Sequence, residues 1–82
     1  MAVFKVIFRN RLNSSGEPFE LPADKLNANG VIIESYEYIK REIRDGEDFA
    51  RELWEYEVPD KDADRFAVGL DSTPTIIEYK KE

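Results

Sequence analysis

Apolar and polar positions alternate from the first residues of the chain. In AVFKVIFRN, Phe4, Val6 and Phe8 fall on one side, Val3 and Ile7 on the other. Period two with both sides mostly apolar predicts an inner strand, covered on both faces and near the middle of a sheet. NRLNSSGEP then reads as a turn, because Asn13, Ser14 and Ser15 bond locally and Gly16 frees φ. FEL predicts a short return strand against the first, ended by Pro22. ADKLNANG predicts one helical turn closed by Asn29 and Gly30.

The period changes in the middle of the chain. Val31 to Ile33 suits a strand, yet Ile32, Tyr36, Ile39 and Ile43 step by four, three and four, the stripe of an amphipathic helix. Glu37 and Arg41 add an i, i+4 pair, and Lys40, Arg41 and Arg44 fall where a helix C-terminus favours cations. A helix is expected around 33–45, ended by Gly46, and a second around 47–55, with Phe49, Ala50, Leu53 and Trp54 on one face. Trp54, Tyr56 and Val58 also alternate, so this segment hands over to a strand before Pro59. A short helix is expected near 60–67, acidic in its first turns and ended by Gly69. STPTIIEYKK closes as a strand, with Ile77 and Tyr79 opposite Ile76, and Pro74 stands where loop gives way to strand.

These elements sum to a single α+β domain over residues 1–82, a three- or four-stranded mixed sheet with two to three helices packed on it. A chain this short buries roughly 60% of its unfolded surface, so its margin of stability is thin. No apolar run approaches the roughly 20 residues of a membrane-spanning helix. MAVFKVIF is too short and interrupted for a signal peptide, which makes the cytoplasm the expected compartment.

Composition removes most chemistry. With no cysteine and no histidine there is no thiolate, disulfide or imidazole base. The net charge of −6 is uneven: Asp45 to Asp64 holds nine acids and two bases, leaving nine acids and ten bases elsewhere. A broad nucleic-acid surface is therefore disfavoured, with Lys40, Arg41 and Arg44 the one local basic cluster. Asp60, Asp62 and Asp64 have calcium-loop spacing with Asp71 twelfth, but Arg65 stands where that loop needs glycine. They read better as acids at a helix start, and no metal or cofactor is expected. Catalysis would have to rest on carboxylates, which eighteen acids bring together by chance alone.

The C-terminal third, WEYEV, PDKDADRFAV and GLDSTPTIIEYKK, resembles the second half of a thioredoxin-like fold over Trp54–Lys81. That resemblance implies a truncated α/β domain, a cis Pro74, and Thr73 pairing with a bound peptide. The family's two active cysteines have no counterpart, so a relative of this kind would be redox-silent and peptide-binding.

The expected function is a small acidic, non-enzymatic protein-binding domain, an adaptor or regulator of phage or bacterial origin. The expected contacts are the acids Glu47, Asp48, Glu52 and Glu55, the aromatics Tyr38 and Tyr56, and the Thr73–Pro74 pair. The alternatives are a carboxylate-dependent enzyme, or the redox-inactive thioredoxin-like module.

Overall fold

The computed structural model describes residues 1–17 and 26–82. Among these residues four strands, β1 (Ala2–Arg11), β2 (Ser35–Ile43), β3 (Phe49–Val58) and β4 (Ile76–Lys81), form one sheet in the order β2-β3-β1-β4. Every pairing is antiparallel. A 3-10 turn at Asp60–Asp62 leads into one helix, α1 (Ala63–Asp71).

This overturns the mixed sheet with two to three helices, and equally the truncated α/β alternative. The helices expected around 33–45 and 47–55 are instead β2 and β3, the two arms of a hairpin. Helical spacing misled because β2 is exposed at all nine positions, so burial imposes no period on it. Its run of Tyr36, Tyr38, Ile39 and Ile43 carries the aromatic and β-branched side chains that favour strands. An extra residue at Ile39 breaks its alternation further, where the register against β3 shifts between Tyr38 and Lys40. In β3 the alternation is Ala50, Glu52, Trp54, Tyr56, Val58, and Glu52 disguises it. The third helix does exist, displaced to Ala63–Asp71.

β1 is central, as its pattern predicts, but among the described residues only one of its faces is covered. Phe4, Val6 and Phe8 are buried under α1 and the segment 26–33, which supplies Val31 and half-buried Leu26, Ala28 and Ile33. The Phe66 ring of α1 meets Phe4 edge-on with centroids 5.1 Å apart, and its centroid lies 5.9 Å from that of Tyr56. Val3 and Ile7 face the other way and are only half-buried. The last strand also departs from simple alternation: a register shift near Ile77 puts Ile76 and Tyr79 on the covered side and leaves Ile77 exposed.

The segment before β2 is fixed to α1 by backbone proximity. A Cβ on Gly69 would clash with the Asn27 carbonyl oxygen, so Gly69 lies inside the helix as a contact point and does not end it. Asn29 and Gly30 take left-handed φ values of 53° and 79°, and the Val31 N–H closes the turn on the Ala28 carbonyl. The expected FEL strand and the start of the ADKLNANG turn lie outside the described residues.

Candidate functional site

The β2 edge concentrates exposed apolar side chains. Among the described residues β2 pairs with β3 alone, leaving its outer backbone open. Tyr36 is 63% exposed, Tyr38 45%, Ile39 40% and Ile43 51%. The register places Tyr36 and Tyr38 opposite Tyr56 and Trp54, on the side that carries the core. Tyr36 stacks on Tyr56 with ring centroids 6.1 Å apart, and Tyr38 meets Trp54 edge-on at 5.6 Å. The result is an aromatic strip that starts in the core at Tyr56 and runs out to the sheet edge.

Glu52 anchors the inner border of this strip. Only 2% exposed, its carboxylate accepts a hydrogen bond from Asn10 Nδ2 at 2.5 Å and another from Trp54 Nε1 at 3.3 Å. Arg41 from β2 brings its Nε within 3.5 Å. These donors satisfy a charge that would otherwise be costly to bury, and the Trp54 bond fixes the indole in the strip.

The residues expected to contact a partner are therefore scattered. Tyr38 is at the exposed strip, whereas Tyr56 is 1% exposed and belongs to the core. Glu52 is buried and Glu55 lies on the opposite face of β3. Glu47 is paired with Arg51 at 2.8 Å, and Asp48 is exposed beside Arg9, Arg11, Pro74 and Thr75 around an open hollow of ≈ 390 Å³. Thr73 is buried and structural: its hydroxyl donates to the Gly69 carbonyl and accepts from the Asn27 N–H. Pro74 is exposed beside it, after a trans peptide bond.

Other clusters disperse too. Of the basic trio, Arg41 faces Glu52, Arg44 binds Glu42 at 2.6 Å, and Lys40 stands opposite Leu53 on the other face. The bond to Arg44 holds the Glu42 carboxyl below the usual range. Of the four aspartates at calcium-like spacing, Asp60 meets the N-terminus, Asp62 holds Arg65, and Asp71 accepts the Tyr79 hydroxyl at 2.6 Å. Among the described residues no group of three or more acids is placed to hold a metal ion. No helix among them is long and apolar enough to cross a membrane.

What sequence reasoning missed is Tyr36, Ile39 and Ile43 as an edge. The signal was present as aromatic and β-branched residues clustered in a segment whose polar positions carry charge on both faces. No protein-family model matches this chain, and no curated protein or solved structure shows detectable similarity to it.

Proposed function

We propose that this chain is a non-catalytic protein-binding domain whose docking site is the β2 edge with its aromatic strip. The observation that carries this reading is a nine-residue strand, exposed throughout, that holds four large apolar side chains beside an open backbone edge. Such an edge accepts an extended segment of another protein as an added strand; the main chain supplies affinity and alternate side chains supply specificity. Tyr36 and Tyr38 offer large contact area at low conformational cost, as anchoring aromatics do. The charged neighbours Lys40, Arg41 and Glu42 and the extra residue at Ile39 limit indiscriminate edge pairing. Glu52, the one deeply buried carboxylate among the described residues, is consumed by Asn10, Trp54 and Arg41, which supports a positioning role over acid–base chemistry.

The test is affinity capture from cells with the whole chain, followed by titration of the captured protein. Tyr36→Ser with Tyr38→Ser should weaken binding at least about tenfold, the loss of one or two anchoring contacts. Unchanged affinity would move the site elsewhere, and turnover of a captured compound would replace the reading altogether.

A further inference from the structure

The sheet has a second face, and the distribution of charge on it is ordered. The register sets Glu37, Glu55, Lys5 and Lys80 side by side across β2, β3, β1 and β4. The next row on the same face is Lys40, Leu53, Ile7 and Glu78. Two open hollows, ≈ 380 Å³ and ≈ 240 Å³, share Ile7, Leu53 and Glu78 as lining, which places both rows on one surface. Among the described residues neither α1 nor the segment 26–33 reaches it, since both pack on the other side.

The first row places like charges side by side at both of its ends, with Lys5 also paired to Glu82 at 3.0 Å. Glu37 stands directly opposite Glu55, and Lys5 directly opposite Lys80. Like charges in directly paired positions destabilise a sheet, and an alternating arrangement of the same four residues would avoid the cost. The order acid, acid, base, base has a different symmetry: it reverses sign about the seam between β3 and β1. The second row does the same, base at one end and acid at the other, with Leu53 and Ile7 flanking the seam. These six charged residues sum to zero on a chain whose net charge is −6.

We infer that this open face docks a second copy of the same chain, through a two-fold axis parallel to the strands and over the β3–β1 seam. That operation lays β3 over the other copy's β1, and β2 over its β4. Glu55 then meets Lys5, Glu37 meets Lys80, Lys40 meets Glu78, and Leu53 meets Ile7, each twice. Aligned packing of two sheets about 10 Å apart suits side chains of this length. One row goes against the fit, since Arg51 is brought toward Arg9; both lie over the Phe49 ring, at 5.3 and 4.8 Å, and Arg51 is already paired with Glu47. Four strands at about 4.8 Å spacing and about 30 Å of length give a face of roughly 600 Å². Two such faces bury on the order of 1,200 Å², the lower end for a specific complex, so the dimer is weak and salt-sensitive.

Sedimentation of the whole chain tests this directly. In low salt it should dimerise, and raising salt to about 0.5 M should weaken association about tenfold. Two charge variants make the test specific: Lys5→Glu with Lys80→Glu renders the first row wholly acidic, and Glu37→Lys with Glu55→Lys renders it wholly basic. Each alone should be monomeric, while an equal mixture should form the heterodimer, with circular dichroism confirming that both fold. A wild-type chain still monomeric at about 0.5 mM overturns the inference without needing any variant. So does a dimer whose variants associate equally well alone and mixed. Tyr36→Ser with Tyr38→Ser should leave the dimer intact, which separates this surface from the β2 edge.

Discussion

Glu52 is the one deeply buried carboxylate among the described residues. Its carboxylate, buried between Asn10, Trp54 and Arg41, joins β1, β3 and β2 at one point. Glu52→Ala strips three donors of their acceptor and should cost about 2–3 kcal/mol, the scale of hydrogen bonds to a buried charge, read by urea denaturation. Gly69 is a steric case. Gly69→Ala drives a methyl into the Asn27 carbonyl and should cost about 2–3 kcal/mol although alanine favours helices. Tyr79 sets an alkaline limit. Its hydroxyl donates to Asp71, and that bond, aided by burial and the nearby negative charge, raises its pKa above the ordinary tyrosine value. The folded state therefore holds the proton more tightly than the unfolded chain. The stabilisation is complete below the ordinary value of about 10 and disappears as pH rises through the folded value. Tyr79→Phe should remove that alkaline decline from a series of melting curves, and Asp71→Asn should reduce it.

At the scale of elements, the β2–β3 hairpin decides the fold. A helix and a strand respond differently to loss of one residue: a helix rotates everything beyond it by about 100°, whereas removing the extra residue of a bulge leaves each strand side chain on its face. Deleting Ile39 should therefore preserve the strand spectrum and shift stability by less than about 1 kcal/mol, as measured by circular dichroism and denaturation. α1 contributes Phe66 and Leu70, each at most 1% exposed, as the lid over Phe4 and Tyr56. Phe66→Ala should cost about 3–5 kcal/mol, enough to unfold much of a chain with so thin a margin.

Among the described residues the sheet has a covered face, an open face and an open edge, and the molecule measures 42 × 19 × 17 Å. A sheet face that no other described element covers presents its residues at a surface whose chemistry is free to serve contacts. If the open face joins two copies, folding and association are linked by mass action. The melting midpoint should then rise with protein concentration, and this dependence should vanish in the charge variant carrying Lys5→Glu and Lys80→Glu. A midpoint independent of concentration would count against the dimer.

The sequence by itself determined the elements whose burial is one-sided and regular. β1 could be read from Phe4, Val6 and Phe8, the final strand from the apolar run after Pro74, and the absence of thiol and imidazole side chains from composition. It also marked Val3 and Ile7 as a second apolar side of β1, which the single chain leaves half open. Only the tertiary structure decided the hairpin, because an edge strand exposed on both faces imposes no hydrophobic period. The same holds for the sites: Glu52 is buried because Asn10, forty-two positions away, meets it across the sheet. The charge rows exist only in the register, since adjacency across four strands joins residues far apart along the chain.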